Sequence, residues 1–313
     1  MVLILSESDI RTLVSMKEMV PAVEEAFLKQ GLGQAVNSPR TRSVIADSSL
    51  NVMHASLSYL GRSGAKCYMS TKEGNRFVFV LFDTESGNIL AMMAADVLGR
   101  YRTGAASAVA TKHLARRKDL SLAIFGSGGQ ALTQVLAVAE VAAVRRVNVW
   151  SPTPSNREKF AGELAALGFD AKAASSPREA MAGTDVASAI TSSARGFIEA
   201  SDASSIVHMN LCGSNNPRGG EALPSIFQDF RQVVVDDLAQ ARYEAGDLIQ
   251  AEKAGTFTWD RAVELKDIVA GKVAPSGRTV FKSHGVALED VAAGSLVYDA
   301  AKKRGGYLEA DFG

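Results

Sequence analysis

The residues of this chain best placed to do chemistry begin at Gly126. The stretch Gly126-Ser127-Gly128-Gly129-Gln130-Ala131 follows a short apolar run, Leu120, Leu122, Ala123, Ile124 and Phe125. It precedes apolar residues at helical spacing: Leu132, Val135, Leu136, Val138, Ala139 and Val141. Strand, glycine turn and helix in the form G-x-G-x-x-A make up the dinucleotide fingerprint. Gly126 allows the tight turn, Gly128 lets a pyrophosphate approach the backbone, and Ala131 lets the helix pack close on the strand. The helix N-terminus then offers free N–H groups and a positive dipole end to the phosphates. A glycine turn alone is common at strand ends; here both flanking elements are legible, which favours the dinucleotide.

A carboxylate about twenty positions further on would hold the ribose 2′-OH of NAD. The corresponding segment, Val147-Asn148-Val149-Trp150-Ser151-Pro152-Thr153, has none. Ser151, Thr153 and Arg157 suit a 2′-phosphate instead, so the cofactor reading is NAD(P) with a lean to NADP, although a hydroxyl pair is also ordinary loop chemistry. His54, His113, His208 and His284 are scattered, and Cys67 and Cys212 lack a metal-type spacing. No metal is expected.

The elements that must position these groups change texture along the chain. Val2 to Leu5 reads as a strand, Ser8-Asp9 as a cap for a helix through Leu13, and Met16–Gln30 as an amphipathic helix. Pro21 suits only a first turn, which moves the expected start towards Val20. Hairpins are expected over 41–55 and 77–94, with a further strand at 64–69. After Arg102 the small-residue run TGAASAVATKHLA predicts a closely packed helix with Thr103 as N-cap, counted with the dinucleotide-binding residues. From Leu120 strands and helices alternate, as in a doubly wound parallel sheet. The predicted class is α/β: a Rossmann domain over 118–287, and an α+β substrate and dimerisation domain over 1–117 joined by a C-terminal helix over 288–313.

Length and composition agree with two domains. The chain has 313 residues, 47% hydrophobic and 22% charged, with 34 basic and 34 acidic side chains. The balance gives no global field to recruit nucleic acid or an anionic membrane, so any anion must be held by local charges. No apolar run reaches bilayer length, and MVLILSESDI lacks a basic n-region. Two reduced, buried thiols in a cytoplasmic protein are the expectation.

The segments SPRT, GAKCY, RYRTGAASAVATKHL, IFGSGGQA, NLCGSNNP and TVFKSHGVALED, in that order over nearly the whole chain, resemble the ornithine cyclodeaminase/mu-crystallin family. The resemblance implies a homodimer in which a nicotinamide ring faces a small amino-acid-like substrate. It puts substrate-carboxylate arginines at Arg40 and Arg102 and the active-site lysine at Lys66. The residue chemistry agrees, because a guanidinium fork suits a planar carboxylate. A lysine in a dry cleft can also lose enough proton affinity to act as a donor. From position alone, Lys66 reads as an exposed strand lysine, Arg40 as a turn arginine with Arg42 its competitor, and Arg102 as half of an interdomain ion pair.

One departure bears on the reaction. Cyclodeaminases of this family and the related archaeal alanine dehydrogenases carry an aspartate where this chain has Asn215, and an amide accepts no proton at neutral pH. Water attack on an iminium would lack its base. Hydride delivery to a preformed imine needs only a carboxylate clamp, a proton donor and the cofactor, as in the ketimine-reducing mu-crystallin branch. The expected function is therefore an NAD(P)-dependent oxidoreductase acting on a small amino acid or cyclic imino acid. Ornithine cyclodeamination with catalytic NAD, and cofactor-dependent ligand binding without turnover, stand as alternatives. His54, where the family more often shows proline, and Asn215 are weaker pocket candidates. Glu221 and Asp290 lie in family-like segments and are candidates to orient loops or the cofactor's carboxamide, although they read first as capping or ion-pairing residues, and His284 lies beside the expected cofactor edge.

Overall fold

A computed structural model describes residues 1–312 and divides them into two units. The first comprises Met1–Arg102 with the segment from Val286; the second is Thr103–Gly285. The division falls after Arg102, inside a continuous helix.

The first unit opens with β1 (Val2–Leu5), α1 (Glu7–Leu13) and α2 (Met16–Gly31). Both helices start with capping boxes, Ser6 with Asp9 and Ser15 with Glu18, so the first cap is Ser6 and not Ser8. Helix α2 keeps Pro21 in its interior, against the expected start near Val20. An interior proline costs about 3 kcal/mol. Met16, Met19, Val20, Val23 and Phe27 are buried on this helix, at roughly 1.5–3 kcal/mol per side chain. The stripe outweighs the proline, which lies on the exposed side.

Strands β2 (Ala35–Ile45), β3 (Ser48–Leu57), β4 (Arg62–Thr71), β5 (Gly74–Asp83) and β6 (Ile89–Ala94) form an antiparallel meander, with β1 added parallel to β6. Helix α3 (Asp96–Leu114) follows. Its start corrects the expectation for Thr103, which lies in the helix interior. The Glu7 carboxylate accepts from the Asp96 and Val97 N–H groups at 2.8 Å each and so caps α3 from α1.

In the second unit β7 (Asp119–Phe125), α4 (Ala131–Val141), β8 (Ala143–Trp150), α5 (Pro154–Ala166), β9 (Ala171–Ala173), α6 (Pro177–Met181), β10 (Val186–Ala189) and β11 (His208–Leu211) alternate. They continue with α7 (Ile226–Asp229), β12 (Gln232–Val235), α8 (Leu238–Glu244), α9 (Gly246–Lys253), β13 (Ala262–Glu264), α10 (Leu265–Val269) and β14 (Thr279–Lys282). The strands form one parallel sheet in the order β13-β12-β14-β11-β10-β7-β8-β9. Along β7 the side chains alternate: Leu120, Leu122 and Ile124 enter one core, Ala123 and Phe125 the other. A parallel sheet is covered on both faces in this way. The chain order reverses between β7 and β10, the switch point at which open α/β sheets bind ligands. The small-residue helix packs as closely as its composition predicts, since a Cβ on Gly104 would stand 2.5 Å from the Thr133 carbonyl oxygen.

The chain then returns to the first unit. Helix α11 (Ala287–Arg304) lies against α2, β3 and β4, and β15 (Leu308–Ala310) pairs antiparallel with β1. The expected helix to residue 313 therefore ends at Arg304, where Gly305 and Gly306 adopt positive φ. Among the described residues no helix is long and apolar enough to cross a membrane.

The Phe79 ring occupies the space that a Cβ would need at both Gly64 of β4 and Gly294 of α11. Replacing Gly294 with Ala should cost about 1–3 kcal/mol through overpacking. Urea unfolding would show it as a lower midpoint; an unchanged midpoint would mean that α11 does not seat this closely.

Candidate active site

Lys66 points from β4 onto the face of the sheet that α11 covers. Strand register pairs it with Met53 and Phe79, both buried, and Lys66 itself is only 2% exposed. Its Nζ donates to Asp290 Oδ1 at 2.7 Å. Arg102 donates from Nε to the same oxygen at 3.1 Å and from Nη1 to Glu289 Oε2 at 2.8 Å. Both carboxylates come from the first turn of α11 and are fully buried. Burial, reinforced by Arg102 and Arg40, lowers the Lys66 pKa to about 8 against the pull of Asp290. Three cations face two carboxylates here, so these five groups carry one positive charge in excess. Such a centre can take an anion and release a proton near neutrality.

A bulge selects the arginine. Ser38 pairs with His54 and Thr41 with Val52, so Pro39 and Arg40 together oppose Met53. The extra residue re-aims the strand, and Arg40 is buried with its guanidinium 5.9 Å from the Tyr68 ring centre. Arg42, two positions along, is exposed and donates from Nε to Asn51 Oδ1 at 3.0 Å. Lys66 feels the charge of Arg40. His54 is exposed and, by strand alternation from buried Met53, lies on the opposite face from Lys66. It is not brought to this centre. Glu289 and Asp290, the carboxylates that Arg102 meets here, belong to the same unit as Arg102.

In the second unit, a cleft of about 440 Å³ lies at the switch point. Its walls include Gly126, Ser127, Gly128, Gly129 and Gln130, the β8 end with Ser151 and Thr153, and Thr191 and Gly213 beyond β10 and β11. Gly126 has φ +111°, and a Cβ there would stand 2.7 Å from the Ile190 carbonyl oxygen. Gly128 has open space where its Cβ would be, the cradle a pyrophosphate needs. Ala131 is buried at the start of α4. Ser127 Oγ donates to Ser151 Oγ at 3.1 Å, and Arg157 Nη1 donates to the Ser151 carbonyl at 3.1 Å. These residues fit a dinucleotide. Thr103 is not among the cleft's walls; its carbonyl accepts from Ser107 Oγ at 3.2 Å and from Gln134 Nε2 at 3.4 Å.

The remaining candidates separate by environment. His208 is buried on β11 between Thr279 Oγ1 and Asn210 Oδ1, and burial lowers its pKa to about 4, so it stays neutral. His113 is half-buried near the end of α3. His284 Nδ1 lies 2.7 Å from Asp236 Oδ1; against its own burial, Asp236 is held at about 2 by His284 and by backbone N–H donors. Asn215 is exposed on the loop after β11. Cys67 and Cys212 are free thiols, half-buried rather than buried. Glu289 escaped sequence reasoning: an acid in a first helical turn reads as a dipole partner, and only its total burial marks it as more.

Together the parallel sheet, its glycine cradle and the buried cationic centre define a dinucleotide-binding α/β protein equipped to receive a small acid. The chain belongs to the ornithine cyclodeaminase/mu-crystallin family, whose model matches residues 2–305. It is similar to the Thermococcus litoralis Δ1-pyrroline-2-carboxylate reductase solved with NADH and L-proline, with 31% identity, a TM-score of 0.92, and 98% of this chain and 100% of that one covered. An archaeal alanine dehydrogenase dimer with bound NAD gives 28% identity, a TM-score of 0.92 and 99% coverage of both chains. The ketimine reductase mu-crystallin of Macropus fuliginosus is 32% identical over 234 residues, 74% of this chain and 71% of that protein.

Asp290 raises the proton affinity of Lys66 while burial lowers it. Asp290→Asn should therefore move the Lys66 pKa further below about 8, as followed by NMR of isotope-labelled lysine. An upward shift would show that the pair is not coupled as described.

Proposed function

We propose that this protein is an NAD(P)-dependent imine reductase, carrying hydride between a nicotinamide and the α-carbon of a small amino acid or cyclic imino acid. The carrying observation is the buried centre that gathers Arg40, Lys66 and Arg102 beside Glu289 and Asp290. In this reading Arg40 and Arg102 grip the substrate carboxylate. Lys66 holds a proton at the imine nitrogen, which a pKa of about 8 allows at neutral pH. The dinucleotide, when bound, supplies or takes the hydride. Asn215 supports reduction over cyclodeamination, since its amide is no base for an attacking water.

The finer assignments belong to the same proposal. NADP is favoured by Ser151, Thr153 and Asn156 in a cleft wall without a carboxylate among the described residues, with Arg157 beside them. Self-association is supported by the half-buried apolar residues Val52, Val78, Val80 and Met92, which share a face of the first sheet, and by the dimer of the archaeal relative. The free thiols suit a reducing, cytoplasmic setting.

A panel of cyclic and open imino acids, assayed with NADH and NADPH, tests the reading. Oxidation of the nicotinamide by a cyclic imino acid is expected, faster with NADPH, and falling as pH rises through about 8. Lys66→Met should lower turnover about 100-fold or more while leaving cofactor affinity within about twofold. Ammonia release from ornithine without net change in nicotinamide absorbance would replace this reading with cyclodeamination. Tight ligand binding without turnover would replace it with a binding role.

A further inference from the structure

A second buried charge cluster lies in the Rossmann unit, beyond the ends of β10, β11 and β14. Glu221 is fully buried, and its side-chain hydrogen bonds end on walls of the dinucleotide cleft. Oε1 accepts from the Thr191 N–H at 2.7 Å and from Thr191 Oγ1 at 2.8 Å; Oε2 accepts from the Gly213 N–H at 2.9 Å. Thr191 and Gly213 both line the cleft. Asp247 Oδ1 accepts from the backbone N–H groups of Glu221 at 2.6 Å and Ala222 at 2.9 Å. Lys282 Nζ stands 2.9 Å from Asp247 Oδ2 and donates to the Ser214 carbonyl at 2.7 Å. The glycines show how closely this region is drawn together. A Cβ on Gly213 would overlap Thr191 and the Glu221 carboxylate, and one on Gly220 would stand 2.9 Å from Asp247 Oδ1.

Resting on the dinucleotide reading above, we propose that Glu221 is a positioning residue for the cofactor, its carboxylate tying together two walls of the cleft and its place secured by Asp247 and Lys282. The loop after β10 supplies Thr191 and the loop after β11 supplies Gly213, so one carboxylate spans two consecutive strand ends. In a Rossmann sheet the pyrophosphate sits at the glycine turn after the first strand. The walls joined by Glu221 lie on the other side of the switch point from Ser151. They therefore set the half of the cleft remote from the ribose 2′ position. The loop after β11 also carries Asn215, through Ser214, whose carbonyl Lys282 holds. Burial pushes the Glu221 pKa up, and Lys282 opposes that rise. Lys282 in turn is held above its ordinary value by Asp247 and Glu221, against its own burial. The geometry itself shows Glu221 accepting from three donors, two on Thr191 and one on Gly213.

Energy transfer to bound NADH or NADPH from Trp150, which lines the cleft, gives the cofactor Kd of the full-length protein. Glu221→Ala should raise that Kd about tenfold or more by orphaning three buried donors. Glu221→Gln, which keeps one acceptor oxygen, should recover it to within about threefold of the parent. The imino-acid KM at saturating cofactor should move less than about twofold in both variants, since the Glu221 side chain is spent on Thr191 and Gly213. An unchanged Kd in folded Glu221→Ala would overturn the proposal, as would a KM that rises in step with Kd. Should the alanine variant fail to fold, Glu221→Gln decides alone: a Kd about threefold above that of the parent with unaltered KM supports the assignment, and an unaltered Kd overturns it. A parent protein that binds neither NADH nor NADPH would instead remove the dinucleotide reading itself.

Discussion

The first unit depends on buried charge that close partners must hold. Moving an ion from water into a protein interior costs several kcal/mol even after relaxation, and the cost is recovered only through close partners. Asp290 serves Lys66 and Arg102 with one oxygen, and Glu289 takes a second bond from Arg102. With Arg40 added, the cluster still holds more cation than carboxylate. A fold that needed these groups only for stability would do as well with apolar side chains of similar volume. Three buried cations make chemical sense when a carboxylate arrives to meet them. Burial first, and then the two neighbouring guanidinium groups, disfavour the charged form of Lys66 and depress its proton affinity.

Positioning this centre uses ordinary elements in a particular combination. Period-two alternation on β3 and β4 puts Met53 and Lys66 on one face, and the bulge at Pro39-Arg40 turns an arginine towards them. Helix α11 then lowers its acidic first turn onto that face. Gly64 and Gly294 allow it, because a side chain at either would collide with Phe79. The carboxylates also lie where the helix dipole favours negative charge. A single placement of α11 therefore serves core packing, helix electrostatics and the ion pairs together.

Much of this architecture was legible in the sequence. The glycine turn announced its chemistry because its demands are local: a tight bend, a missing Cβ and a helix start within six residues. The alternation of strand and helix after Leu120 was equally local. What escaped depends on contacts distant in sequence. Nothing near Thr103 reveals that α3 starts at Asp96, because the cap is Glu7, almost ninety residues earlier. Lys66 read from its neighbours as an exposed strand lysine, and only the family resemblance pointed inward. Arg40 and Arg42 are indistinguishable until the bulge is seen. His54 drew attention through its residue type, but strand parity sends it to the other face. Glu289 looked like an ordinary first-turn acid, and the short strands β13 and β14 were hidden by low local contrast.

The two units solve the problem of buried charge in opposite ways, and the contrast separates their roles. In the Rossmann unit, Glu221, Asp247 and Lys282 are tied to backbone groups: Thr191, Gly213, Ser214 and Ala222. Charge spent on backbone is charge spent on shape, and it leaves little for a ligand to change. In the first unit, Lys66 and Arg102 meet Glu289 and Asp290 through side-chain ion pairs, whose rotamers can shift when a further anion enters. A rigid cradle suits a dinucleotide whose large constant surface must be matched once. An adaptable cationic centre suits a small acid that must be gripped, protonated and released at each turnover.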